Sequence, residues 1–153
     1  MIYLPCLREG VPMSRVRDVV HQCQLFSVEE HQSVAQVARV MAGFKVGAIL
    51  VLKGDDLAGI FSERDLMTRI VLERRDPDLT PVRDVMTTDV CTIDESATPE
   101  EAMEAMQANN CRHLPVTRDG RVVAFLSMRD LMNFEVARQT EEIYHMRAYI
   151  SNA

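Results

Sequence analysis

The chain repeats itself. Gly59-Ile60-Phe61-Ser62-Glu63-Arg64-Asp65-Leu66-Met67 returns as Ala124-Phe125-Leu126-Ser127-Met128-Arg129-Asp130-Leu131-Met132, so Ser, Arg, Asp, Leu and Met recur at an offset of 65 residues. Val16-Arg17-Asp18-Val19 returns as Val82-Arg83-Asp84-Val85 at an offset of 66, so the first copy carries one extra residue between Asp18 and Val28. Beyond it the offset of 65 holds, pairing Ser27-Val28 with Thr92-Ile93, Met41 with Met106 and Val51 with Val116. An internal repeat constrains the architecture more than any local pattern. Each unit is too small to bury its own apolar face well, so the two are expected to pack against each other.

Both copies read alike. Val16 to Val20 is a short opening helix or turn, and Leu25 to Val28 a short strand. Ser33 then caps a helix in capping-box form, with Gln36 three residues on and Val34, Val37, Ala38 and Met41 at helical spacing. Val46 to Leu52 is a continuous apolar run, as in a strand buried on both faces. Gly54-Asp55-Asp56 turns the chain into a strand over Leu57 to Phe61, and a helix follows from Ser62 to about Arg74. In the second copy the strands are Val90 to Ile93, Leu114 to Thr117 and Val122 to Leu126, with Asp119-Gly120 as a hairpin turn. Thr98-Pro99-Glu100-Glu101 starts its first helix. The last helix runs from Met128 to about Ile150 without Gly or Pro. Its broken stripe of Leu131, Phe134, Ala137, Ile143, Met146 and Ile150 either folds back on its own chain or packs on a second subunit.

The predicted fold is α/β (α+β): two pseudo-symmetric β-α-β-β-α repeats packed sheet to sheet. The predicted division is a lead-in over 1–14, a first repeat over 15–75, a proline-punctuated linker over 76–81, a second repeat over 82–134 and a helical extension over 135–153.

Composition narrows the function. The net charge of −6 argues against nonspecific nucleic-acid binding, which needs a basic excess. No apolar run reaches the ~18 residues of a membrane helix, and no signal peptide is apparent, so the expected location is cytoplasmic. The four cysteines, 6, 23, 91 and 111, form no C-x-x-C pair and read as thiols rather than zinc ligands or disulfides. The histidines have no metal-ligand spacing, so no metal is expected. No nucleophile–base pair stands out, so the chain is not expected to be an enzyme, and it is too short to hold a barrel as well.

Ser62-x-x-Asp65 and Ser127-x-x-Asp130 can each be a plain capping box. The same geometry can serve a ligand. A helix N-terminus presents amides and a positive dipole end to phosphate. An ionised Asp accepts both hydroxyls of a ribose, and Arg64 and Arg129 can grip phosphate bidentately. Arg112 and His113, just before a strand, can meet phosphate or simply be solvated, and the same choice holds for Lys45.

The duplicated unit, closed by Gly-Ile-Phe-Ser-Glu-Arg-Asp, resembles the cystathionine β-synthase (CBS) domain, and two in tandem resemble a CBS pair, or Bateman module. Arg112-His113-Leu114-Pro115-Val116 resembles a stretch of the family's second repeat, and Ser-Glu-Arg-Asp resembles the variety related to inosine monophosphate dehydrogenase. The resemblance covers about Arg15 to Met132. It implies that Asp65 and Asp130 hold ribose hydroxyls and that Ser62 and Ser127 lie near ribose and phosphate. It implies that Ser27 and Thr92 are the polar residues of the first strands, and that Leu50-Val51 and Pro115-Val116 wall the adenine. Ile60 and Phe125 sit inside the matched motifs and count among the candidates. The implied ligand is AMP, ATP, NAD or S-adenosylmethionine, bound between the repeats, and the implied assembly is a homodimer.

The expected function is therefore a stand-alone regulatory sensor of an adenosine-containing nucleotide, with no catalytic cofactor. The alternative is a nucleotide-free protein-interaction or dimerisation module. One departure matters: Ala124 stands where the first copy has Gly59. A Cβ there narrows a close approach, so Asp65 is expected to matter more to the ligand than Asp130.

Overall fold

A computed structural model describes residues 14–21 and 25–151, and every structural statement concerns these. Residues 1–13 of the expected lead-in over 1–14, Cys6 and Cys23 lie outside them, as does part of the stretch holding the extra residue.

The first repeat runs β1 (Ser27–Glu29), α2 (Val34–Phe44), β2 (Ala48–Lys53), β3 (Asp56–Ser62) and α3 (Glu63–Asp65), after an opening helix α1 (Val16–Val20). The second runs β4 (Ile93–Asp94), α4 (Pro99–Ala108), β5 (His113–Arg118), β6 (Arg121–Ser127) and α5 (Met128–Ser151), after a 3-10 turn at Val82–Asp84. Each repeat has a three-stranded sheet with its middle strand parallel to the first and antiparallel to the third. The registers match by the same offset: Ala48 faces Ser62 and His113 faces Ser127. This is the expected α+β fold of two like units.

Local chemistry explains the boundaries. Ser33 with Gln36, and Thr98 with Glu101, close reciprocal capping boxes at the starts of α2 and α4. Asp119 and Gly120 both take positive φ, 51° and 76°, as a tight hairpin turn requires. Lys45 and Asn110 take equivalent left-handed conformations after the first helix of each repeat. The first and fourth strands start two to three residues later than expected. The helix expected to reach Arg74 is α-helical only over Glu63–Asp65. It widens into a π-helical stretch over Leu66–Val71, the kind of irregularity that often accompanies a functional site.

The two cores share chain. Val82 and Val85, which open the second repeat, are buried in the first core with Val28, Val37 and Phe61. Val16, which opens the first repeat, is buried in the second core with Met106, Leu114 and Leu126. Backbone bonds repeat the exchange. The Val16 and Arg17 amides donate to the carbonyls of Ala97 and Glu95, and those of Val82 and Arg83 to Gln32 and Glu30. The 76–81 stretch is no loose tether, because the Val34 and Ala35 amides donate to the carbonyls of Thr80 and Pro77.

The exchange explains Gly59. Ile60 and Thr87 trade backbone hydrogen bonds of 2.9 and 2.8 Å, laying the 86–87 stretch along β3. A Cβ on Gly59 would stand 2.6 Å from the Thr87 carbonyl oxygen and 2.9 Å from Met86 Sδ. The glycine thus makes room for the protein's own backbone, whereas the sequence suggested room for a ligand. Gly59→Ala is expected to cost about 1–3 kcal/mol through this overpacking. At about 2–4 °C per kcal/mol in a domain of this size, calorimetry will read a clear drop in Tm. The matching Ala124→Gly should cost only about 0.5–1 kcal/mol, the usual penalty of strand glycine.

Candidate functional site

Between residues of the two repeats lies an open cleft of about 900 Å³, a size usual for ligand sites. One wall is the end of β3 and the first turn of α3, with Ile60, Ser62, Arg64 and Asp65. The other is the chain between α4 and β5, with Asn109, Asn110, Cys111, Arg112 and His113. Thr87, Asp89, Val90 and Cys91 form its floor and edge. Six of the sequence-selected residues thus come together: Ile60, Ser62, Arg64, Asp65, Arg112 and His113.

Asp65 is the only charged side chain buried among the described residues, at 7% exposure. Its Oδ2 accepts from the Ser62 amide (3.0 Å) and the Ser62 hydroxyl (2.9 Å). Its own amide donates to Ser62 Oγ (3.3 Å), closing the capping box. Oδ1 accepts from the Thr87 hydroxyl (3.2 Å) and lies 3.7 Å from Arg69 Nε. Arg69 in turn donates to the carbonyls of Val85 (2.9 Å) and Met86 (2.6 Å). The carboxylate is therefore engaged by the cap on one oxygen and by the exchanged segment on the other. Two ribose hydroxyls cannot be added to it as it stands.

Ser127 and Asp130 repeat the cap, with 2.8 and 2.7 Å bonds to Oδ2 and 3.1 Å from the Asp130 amide to Ser127 Oγ. Phe134 stands where the first repeat has Arg69, so that ion pair has no counterpart. Asp65→Ala is accordingly expected to lose more stability than Asp130→Ala, in which only a cap worth about 0.5–2 kcal/mol is removed. Urea denaturation of both variants checks this, and equal losses would show that Thr87 and Arg69 contribute nothing through Asp65.

The other selected residues lie elsewhere. Val51 and Val116 have no exposed surface, because they fill the two cores, so they wall no cleft. Leu50 and Pro115 are buried on the opposite faces of β2 and β5. Ser27 and Thr92 are exposed and outside the cleft lining. Lys45 is exposed after α2, with its amide bonded to the end of that helix. Phe125, Ser127, Arg129 and Asp130 belong to the equivalent place on the other repeat, and Phe125 packs at 5.2 Å on the His113 ring.

That equivalent place differs in its aromatic content. Cys91 and Asn109, which line the cleft, are joined by a 3.3 Å bond from Asn109 Nδ2 to Cys91 Sγ. Their counterparts at the 65-residue offset are Phe26 and Phe44, whose rings stack at 4.2 Å. Small polar groups keep one side open where two phenyl rings occupy the other. Asp89, Cys91, Asn109 and Asn110 escaped the sequence reading. The available signal was their place: like Arg112, they flank the strands just before the repeat's ends meet.

Burial holds the His113 imidazole below its ordinary 6.5. Arg112 adds to this, while Asp130 and Glu63 act against it. The unfolded chain thus takes the proton first as pH falls. The corresponding stability is fully present above about 6.5 and is lost as pH falls through the folded value. Folding free energy measured between pH 5 and 7.5 is expected to fall on the acid side, and His113→Gln should flatten that slope.

The CBS domain family profile matches residues 16–72 and 82–137. The chain belongs to the CBS domain family. It is 34% identical over 125 residues to the CBS domain-containing protein CBSX3, mitochondrial, of Arabidopsis thaliana, covering 77% of this chain and 60% of that one. The chain thus spans less than two thirds of that relative, and 22% of some longer CBS proteins of the same plant. The solved CBS domain NE2398 is 31% identical, with a TM-score of 0.77 over 81% of this chain and 99% of that one. The CBS domain protein PAE2072 of Pyrobaculum aerophilum, solved in complex with AMP, is 27% identical, with a TM-score of 0.68 over 76% and 89%. The two CBS repeats here form a tandem pair, and these relatives are named for their CBS domains. Among the described residues no helix is long and apolar enough to cross a membrane.

Proposed function

We propose that this CBS pair is a regulatory sensor, not an enzyme, that binds an adenosine-containing nucleotide of the AMP, ATP or NAD type in the cleft between its repeats. The observation that carries the reading is the cleft with two guanidiniums on opposite walls. Arg64 comes from the first repeat and Arg112 from the second, and among the described residues neither side chain is in an ion pair. Guanidinium is suited to phosphate oxygens by its planar fork of donors. Asp89 lines the same cleft with an exposed carboxylate, an acceptor for ribose hydroxyls in addition to Asp65. The AMP held by the Pyrobaculum relative supports the choice of ligand class.

A bound phosphate would join the two repeats through Arg64 and Arg112. A ligand shifts a conformational equilibrium only by its differential affinity for the two states. A ligand gripping both walls has such a difference, since any change in their spacing breaks one grip. A second reading is supported by Asp65 itself: its carboxylate already accepts three hydrogen bonds within the protein, which suits a nucleotide-free interaction module in which the motif is only a cap.

Calorimetric titration of nucleotide-stripped protein with AMP, ATP, NAD and S-adenosylmethionine separates the two. Arg112→Ala is expected to weaken the best ligand about tenfold or more. A charge-assisted hydrogen bond is worth about 1.5–3 kcal/mol, and about 1.4 kcal/mol is one decade. Lack of heat and of thermal stabilisation with all four ligands at millimolar concentration would leave the interaction module as the function.

A further inference from the structure

The two repeats end in different helices. In the first, α3 and its π-helical continuation stop at Leu72, and Arg74 takes a left-handed conformation. In the second, α5 continues unbroken for 24 residues, about 36 Å at 1.5 Å per residue. Leu131 anchors its start in the second core, whereas residues 139–147 are all exposed. Beyond Arg138 the stripe therefore does not fold back on the described residues.

The exposed face has a heptad pattern that the 3.6-residue reading did not show. Val136, Ile143 and Ile150 fall seven residues apart, and Met132, Gln139 and Met146 fall seven apart between them. In heptad terms the first set occupies a and the second d, the seam of a coiled coil. All five apolar members are more than half exposed. We propose that residues 132–150 pair with the same segment of a second copy of this chain as a parallel two-stranded coiled coil.

Three features of the seam select that occupant and that direction. Every a residue is β-branched and every d residue is an unbranched Met or Gln, matching the β-branched a positions of two-stranded parallel coils. The one polar seam residue, Gln139, meets its own copy across a parallel seam and can hydrogen-bond to it; an antiparallel seam would set it against an apolar a residue. The flanking charges agree. Glu142 is at g and Arg147 at the following e, so a parallel pair places Glu142 of each strand beside Arg147 of the other, twice by symmetry. Antiparallel pairing sets g against g, where both Glu135 and Glu142 lie. Within its own helix Glu142 has only a 3.8 Å contact to Arg138, whose closer partner is Glu135 at 2.7 Å, so its carboxylate is available to the partner strand. The seam holds fewer than three heptads, so it needs the folded repeats to anchor its start. The inference is independent of what the cleft binds.

The test uses the full chain. Light scattering after size exclusion is expected to show a dimer of the 17.4 kDa chain at micromolar concentration. Ile143→Glu should make it monomeric without lowering the unimolecular melting transition, because Ile143 is exposed in the single copy. Direction is read by mild oxidation. Gln139→Cys is expected to give a covalent dimer more than tenfold faster than wild type, whereas Glu141→Cys, on the outer face, should not. A monomeric wild type overturns the proposal, as does a dimer that survives Ile143→Glu. A dimer lost with Ile143→Glu but not cross-linked through Gln139→Cys overturns the parallel arrangement.

Discussion

The fold depends on a trade of opening segments. Neither repeat completes its own core: Val82 and Val85 close the first and Val16 closes the second. The paired amide bonds from Val16 to Ala97 and from Val82 to Gln32 show the trade to be symmetric down to the backbone. Burying such a valine removes about 1.5–3 kcal/mol of apolar exposure. Each half alone would leave that cavity open and the matching valine in water. The two halves are thus coupled by topology before any ligand enters. The cleft is lined by residues of both coupled halves.

Asp65 connects that exchange to the cleft. One of its oxygens caps α3 through Ser62, and the other receives Thr87 from the segment the second repeat lends to the first. Arg69 braces the arrangement by binding Val85 and Met86 carbonyls. Thr87 lies on the segment that closes the first core, so Oδ1 is tied to that core's closure. Seating of that segment and the cleft wall thus share one carboxylate. A cap motif that by itself serves only the helix thereby also fixes the exchanged segment.

The 65-residue offset made most of this architecture legible. It marked the two units, the equivalence of Ser62 with Ser127, and the continuous apolar runs that became the buried middle strands. The trade of segments was not legible, because valines at 16 and 82 read the same whichever core they enter. The role of Gly59 was misjudged for the same reason: a glycine announces a close approach but not what approaches. Val51 and Val116 were named as cleft walls through the family resemblance, which does not say which face of these strands fills the core. Six of the cleft's residues were legible because they flank the motif. Asp89 and Asn109 were missed because they lie on connecting chain, where neither period nor cap singles them out.

What separates the repeats is as informative as what they share. Divergence is concentrated at matched positions: Arg69 against Phe134, Cys91 against Phe26, Asn109 against Phe44, Gly59 against Ala124. In each pair the polar or smaller member belongs to the open cleft or to the segment behind it. The bulkier, apolar member belongs to the equivalent place on the other repeat, where two rings stack. A symmetric pair would present two like clefts. Here the substitutions remove polar partners from one side and retain them on the other. The second repeat is distinguished instead by its last helix, which leaves the core after Leu131 with an apolar face turned outward.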